Sequence, residues 1–418
     1  MDDPQGHHAA STPVDDPRHA HWRRNLYALS SGIFLSTLGF TMSWPFLPLI
    51  VRELGVTTHL ETWVGFLVGS FFVTSFVLTP VWGGLADHFG KRSMVLRAGF
   101  GMSTGFLLLP FMPGVAWFLP IFLLIGVANG YTPAAFALIA SNTPNPHMGR
   151  SLATAQMAAM LGNTLGPAAG SALVLVLPRY IDLFWASAAL ILCGGFIALA
   201  FVREPPSQPA GQYRLTVLED FRTCLRIPVL PPLLFSTIIF AMSFFGSTTV
   251  VSLYTMDLMH GSTSHLGIAV GAWVGLATVS LTVASSLAVP LWGRLVDRYS
   301  PADVLGVALA LGVAASLIFP IVADPLQLTA ARFVLGALAI GTQPAMLRLM
   351  KAAAPPGMDA RVLAFGTAGS MLGNGGAPML AGAMAPWVGL RAYFLVVALL
   401  LLASLGWWWW RGMRPSGK

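Results

Sequence analysis

The run Pro80-Val81-Trp82-Gly83-Gly84-Leu85-Ala86-Asp87-His88-Phe89-Gly90 returns about 210 residues later as Pro290-Leu291-Trp292-Gly293-Arg294-Leu295-Val296-Asp297-Arg298-Tyr299-Ser300. A second echo keeps nearly the same register. Arg150, Leu152, Ala153, Met160, Leu161, Gly162, Asn163 and Pro167 reappear as Arg361, Leu363, Ala364, Met371, Leu372, Gly373, Asn374 and Pro378. One half of the chain is therefore a copy of the other, and the fold must be built from two like units.

Hydrophobic residues make up 56% of the chain and charged residues 9%, too little polar surface to dress a water-soluble body of this size. A bilayer core needs roughly 20 apolar residues per helix. Twelve such stretches can be placed, near 26–50, 62–83, 93–112, 115–140, 151–178, 182–202, 230–256, 265–292, 302–321, 327–350, 361–387 and 389–410. Charge tests this count, because Lys and Arg collect in cytoplasmic loops. Of 23 Lys and Arg, only Arg52, Arg179 and Arg391 fall on the far side when both termini are inside, and only Arg332 falls within a span. The net charge of +7 thus reflects topology, and no nucleic-acid partner is expected. The expected fold is an all-α polytopic membrane protein, with twelve transmembrane helices in two pseudo-symmetric six-helix bundles. Parallel repeats of this kind place a transport site at the interface between the two bundles.

The domain reading follows: a disordered cytoplasmic tail (1–24), a first bundle (25–202), a cytoplasmic linker (203–229), a second bundle (230–411) and a short cytoplasmic tail (412–418). His7 and His8 lie in the first tail as surface residues, and no metal site or cofactor is expected. The first apolar run is too long and too late for a cleaved signal. Cys193 in a span and Cys224 in the linker do not suggest a disulfide. Thr216 and Glu219 have capping-box spacing, so the linker should hold a short helix lying on the inner leaflet. Trp407 to Trp410 read as an interfacial belt.

Gly83-x-Leu85-Ala86-Asp87-His88-Phe89-Gly90-Lys91-Arg92 resembles the loop signature of the major facilitator superfamily, and Gly162-x-x-x-Gly166-Pro167-x-x-Gly170 resembles its antiporter motif. With Trp44-Pro45-Phe46-Leu47-Pro48-Leu49 and the layout of the spans, residues 22–411 look like a bacterial drug:proton antiporter of the twelve-helix type. The resemblance implies alternating access, a small-molecule substrate, protons as the coupling ion, the lipid bilayer of the inner membrane as surroundings, and a working monomer. It also implies that the loop after span two abuts the start of span eleven, and that its counterpart abuts the start of span five. Asp87 would then pair with Arg361 and Asp297 with Arg150, closing the cytoplasmic side when the protein opens outward. Otherwise these charges simply obey interface topology. Gly83 and Gly90 would allow close approach and a tight turn.

Polar groups at mid-bilayer are costly, which makes them candidates for the substrate pathway. They are Asn129, Tyr131, Asn163, Gln343 and Asn374, each of which could instead tie helices together. Phe40, Trp44, Phe240, Phe244 and Phe245, with Met242, offer an aromatic, adaptable surface for bulky amphiphiles, or else face lipid. Arg332 matches the family's span-four arginine motif transposed into the second half, whereas the first half carries Phe122 at the equivalent place. It would bind an anionic substrate group or hold the bundle together. No Asp, Glu or His lies at the middle of a span, so the coupling group has to be sought at the edges, in Glu53, Asp257 or, first, Asp87. The leading reading is proton-coupled efflux of amphipathic drugs. Beside it stand a dedicated metabolite carrier, such as one for a siderophore, and a remote alternative, a non-transporting sensor. No nucleotide loop or nucleophile and base arrangement suggests an enzyme.

Overall fold

Inside a bilayer no water can pair with backbone N–H and C=O groups, so a chain this apolar crosses as helices. A computed structural model describes residues 21–204, 222, 225–260, 262, 264–354 and 359–412. The expected linker helix around Thr216 and Glu219, Cys224, His7 and His8 lie outside the described residues, and so do the side chains of Asp87 and Arg361.

The helices are α1 (Trp22–Glu53), α2 (Leu60–Phe89), α3 (Lys91–Phe111), α4 (Val115–Asn142), α5 (Met148–Val174) and α6 (Tyr180–Phe201) in the first repeat. The second holds α7 (Leu230–Leu258), α8 (Val270–Arg298), α9 (Pro301–Ile321), α10 (Pro325–Ala353), α11 (359–388) and α12 (390–412). Ten segments qualify as spans by length and hydropathy. One of them, Val362–Trp410, is really two, divided at Gly389 with φ 77°. The 27 residues of α5 are less apolar, since Gln156 and Asn163 interrupt them, but are long enough to cross. The described helices thus make twelve spans. A two-stranded hairpin, β1 (Ser264–His265) and β2 (Ile268–Ala269), joins α7 to α8.

Lipid supplies no hydrophobic drive between helices, so small residues set how closely they approach. Gly162, Gly166 and Gly170 lay one face of α5 against α1. A Cβ at Gly162 would lie 2.7 Å from the Phe34 carbonyl oxygen and 2.9 Å from Cβ of Thr37. Pro167 is buried within the same helix. The repeat uses the same device, for Gly373 of α11 sits on Ala241 and the Ile238 carbonyl of α7. Gly83 behaves otherwise. It lies inside α2 with nothing within 4 Å of a Cβ placed there, and its copy Gly293 is equally unopposed. The expected tight turn belongs to Gly90 alone, whose φ of 87° is left-handed.

Gly90 opens α3, and the basic loop residues Lys91 and Arg92 stand at that helix's first turn. Their backbone N–H groups donate to Glu204 at 2.8 and 2.9 Å, while the Arg92 guanidinium donates to the Leu199 carbonyl at 2.8 Å. A carboxylate from the end of α6 therefore caps α3 at the positive end of its dipole. Asn25 of α1 completes the tie through a two-way bond with the backbone of Arg203, at 2.7 and 3.1 Å.

Replacing Gly162 by Val should force α1 and α5 apart and cost about 1–3 kcal/mol, read as a lower melting temperature in detergent. Gly83→Ala, opposed by nothing, should leave that temperature unchanged or slightly raised.

Candidate functional site

A cavity of about 340 Å³ lies between the repeats, within the size range of small-molecule pockets. Its walls come from α1, α2 and α5 on one side and α7, α8 and α11 on the other. Of the residues singled out from sequence, Phe40, Trp44, Asn163, Phe244, Phe245 and Asn374 line it, together with Pro167. The aromatic walls are continuous within each repeat. Trp44 packs against Phe40, Phe71, Phe72 and Phe122 with ring centroids 5.2 to 5.9 Å apart. Across the cavity Phe244 lies 5.1 Å from Phe240 and 4.9 Å from Phe245. Phe240 therefore supports the wall from behind.

A local irregularity in α7 shapes this side. Met242–Gly246 forms a π-helical turn, which widens the helix and turns Phe244, Phe245 and Gly246 toward the cavity. Gly246 packs on the backbone of α11 at Gly373 and Asn374. The Met242 carbonyl finds its partner in the Tyr393 hydroxyl at 3.1 Å. Two buried polar atoms in the lining residues, Trp44 Nε1 and Asn374 Oδ1, have no hydrogen-bond partner among the described residues. Buried polar groups left unpaired in this way are suited to a ligand's polar atoms.

The sequence reading missed the hydroxyl face of the cavity. Thr278, Thr282 and Ser285 line it from α8 at helical spacing, and Thr248 and Thr249 from α7. The spacing was visible in the chain. Hydroxyl residues are common in membrane helices, however, and Thr278 and Thr282 also bond their own helix carbonyls at 2.8 and 3.3 Å, so nothing marked them.

Three of the polar candidates do not line the cavity. Asn129 bonds Ser75 at 3.2 Å and the Gly130 N–H at 2.8 Å, and Tyr131 donates to the Gly194 carbonyl at 3.0 Å, so both hold helices together. Gln343 is exposed elsewhere. Arg332 does not reach the cavity either. It is fully buried behind the second-repeat wall, donating to Ser247 Oγ at 2.8 Å, Thr248 Oγ1 at 3.3 Å and the Ala277 carbonyl at 3.4 Å.

Arg332 is not the sole cation within a span. Arg97, read from sequence as a loop charge, is half-buried in α3, with its guanidinium 3.6 Å above the Trp82 ring. It donates to the carbonyls of Val127 at 2.9 Å and Asn129 at 3.1 Å. There α4 breaks between Ala128 and Tyr131, with Gly130 at φ 125°. Arg97 supplies the donors that the broken helix lacks.

Of the two expected crossed pairs, Asp297 with Arg150 is not formed among the described residues, and Asp87 with Arg361 rests on side chains outside them. Asp297 pairs with Arg348 of its own repeat at 2.6 Å, the two side chains 80% and 50% exposed, and Arg150 is exposed. The reason is where the repeats touch. Thr62 donates to the Gly382 carbonyl at 3.0 Å, Gly65 and Gly69 meet Pro378 and Met379, and Gly275 meets Ser171. All these contacts lie toward the face away from the basic loops. Near the basic face, Gly83 and Gly293 meet nothing.

A family model described as Major Facilitator Superfamily matches residues 29–281 and 263–418. The chain is 33% identical over 390 residues to "Multidrug resistance protein MdtG" of Escherichia coli strain K12 / DH10B, covering 93% of this chain and 94% of that protein. The same protein from Escherichia coli O9:H4 (strain HS) is 32% identical with the same coverage. Among solved structures, a bacterial homolog of the human lysosomal transporter Spinster, in an inward-facing and occupied conformation, superposes with a TM-score of 0.75 at 16% identity. That match covers 93% of this chain and 96% of the other.

Arg97→Met should leave two carbonyls at the α4 break unpaired and cost about 1–3 kcal/mol, measured by thermal unfolding in detergent. Ligand binding in the cavity should change much less than stability, because Arg97 is not among the residues lining it.

Proposed function

Because this chain belongs to the major facilitator superfamily, whose members are membrane transporters and not enzymes, we propose that it exports amphipathic drugs or similar small molecules across the bacterial inner membrane. The observation that carries this reading is the aromatic cavity between the repeats, where Phe40, Trp44 and Phe244 present flat apolar surface beside the amides of Asn163 and Asn374. Such a lining binds by area and adapts to several ligands. In this reading Gly90, Lys91, Arg92, Arg150 and Arg361 belong to the cytoplasmic side with both termini, as the concentration of Lys and Arg in those loops favours. One chain contributes both walls, so a monomer suffices.

Transport proceeds by alternating access. In this reading the repeats are closed away from the basic face and the cavity opens toward the cytoplasm, and rocking would close the basic face while opening the other. Asp87 with Arg361 and Asp297 with Arg150 would form the closed gate, and the unopposed Gly83 and Gly293 are where helices would then meet. Arg348 holds Asp297 meanwhile, an exposed pair that costs little to exchange. The helix carrying Gly162, Gly166, Pro167 and Gly170 spans from gate to cavity, so it would move with both.

Export is driven by the proton gradient in this reading. Among the described residues no Asp, Glu or His lines the cavity, which directs attention to the edges, and Asp87 is the proposed proton carrier. A dedicated carrier for a single metabolite is the second reading, favoured by how few polar groups the cavity offers.

Energised inside-out vesicles carrying a pH-sensitive dye test this directly. Proton release triggered by several unrelated amphiphiles is the expected result. Release by one siderophore alone would favour the dedicated carrier, and no release from folded protein would sink proton coupling. Asp87→Asn should abolish release, and a double-mutant cycle of Asp87 with Arg361 should show coupling in transport rate. Retained proton coupling in Asp87→Asn would remove that residue as carrier.

A further inference from the structure

A cation taken out of water without a counter-charge is among the costliest groups a membrane protein can hold. Arg332, 0% exposed, is such a group. Among the described residues no carboxylate pairs with it, and its guanidinium donates hydrogen bonds to Ser247 Oγ, Thr248 Oγ1 and the Ala277 carbonyl oxygen. These three contacts lie on α7 and α8, the helices that form the second-repeat wall of the cavity.

The two hydroxyls differ in what they do with their own protons. Ser247 donates its proton back to the Ser243 carbonyl at 2.6 Å. Thr248 accepts from Arg332 and has no acceptor for its own proton among the described residues, and Thr248 lines the cavity. A hydroxyl that accepts from a guanidinium becomes a stronger donor, because hydrogen bonds in series polarise one another. The positive charge behind the wall is thus presented inside the cavity as an unspent O–H. Among the described residues no acidic side chain lines the cavity to offset it.

We propose that Arg332, acting through Thr248, makes the cavity selective for aromatic substrates bearing an anionic or strongly accepting group, such as a carboxylate or sulfonate, and unfavourable to organic cations. This rests on the cavity being the substrate site. A carboxylate beside Thr248 receives its hydroxyl proton in a charge-assisted bond and lies in the field of Arg332. An ammonium in the same place meets a donor and a like charge. Arg332 is a specificity-determining residue that need not touch the ligand.

Three probes of one shape, 2-naphthoate, 2-naphthamide and 2-naphthyltrimethylammonium, separate charge from area. Their affinities are measured on the full chain in nanodiscs of zwitterionic lipid, with empty nanodiscs subtracted. For the field of one charge through partly polar surroundings, naphthoate should bind about tenfold or more tightly than the ammonium. Arg332→Gln should abolish that preference by weakening naphthoate, with naphthamide much less affected, and Arg332→Lys should keep part of it. Thr248→Val, which keeps the side-chain shape, should weaken naphthoate in the same direction and serves if Arg332→Gln does not fold. Equal binding of naphthoate and ammonium to the wild type overturns the inference and leaves the cavity as a substrate site. So does an unchanged preference in folded Arg332→Gln or in Thr248→Val. If no probe binds the folded wild type, the reading of the cavity as the substrate site falls, and this inference with it.

Discussion

A helix that breaks inside a bilayer releases carbonyls that water cannot reach, and each one left bare costs several kcal/mol. Much of this protein is arranged around that cost. At the break in α4, Arg97 reaches across from α3 to bond Val127 and Asn129. At the interruption of α10 between Ala339 and Thr342, the Trp292 indole donates to the Ala337 carbonyl at 2.9 Å. At the π turn of α7, the Tyr393 hydroxyl serves the Met242 carbonyl. Each irregularity is held by a long side chain from a neighbouring helix, so the bends that shape the interior are fixed by packing within a repeat.

The two repeats meet the same demand with different chemistry, which explains why the second copy of the loop signature is eroded. In the first repeat Trp82 supports Arg97, and Arg97 supplies the donors. In the second the equivalent Trp292 donates directly, and no arginine is needed. The start of the third helix differs likewise. The bare N–H groups of Lys91 and Arg92 are capped by Glu204, whereas α9 begins with Pro301, which has no N–H to satisfy and a backbone already suited to a helix start. Sequence symmetry has been lost where a local substitute conserves the backbone path.

The cavity sits where the repeats diverge. Glycines of α2, α8 and α11 let the bundles touch on the face away from the basic loops, and the space left between them is lined by aromatic rings and hydroxyls. Arg332 lies behind one wall of that space, and Asp297 and Arg150 lie at the far face. The residues proposed for binding and those proposed for gating are thus different, on helices that run the length of both.

The sequence alone determined the repeat, the twelve spans and the glycine face of α5, because helix length in a bilayer and close approach of helices are set by composition and spacing within one segment. It also marked Phe40, Trp44, Asn163, Phe244 and Asn374, since aromatic and amide groups in an apolar span are conspicuous. The tertiary structure decided which polar groups serve as ties and which face the cavity. Asn129 and Tyr131 look like Asn163 and Asn374 in the chain, and only the position of neighbouring helices separates them. It likewise turned Arg97 from a loop charge into a cap, put Arg332 behind Thr248, and left Asp297 with Arg348. Each of these depends on the relative placement of segments distant in sequence, and no single segment encodes that placement.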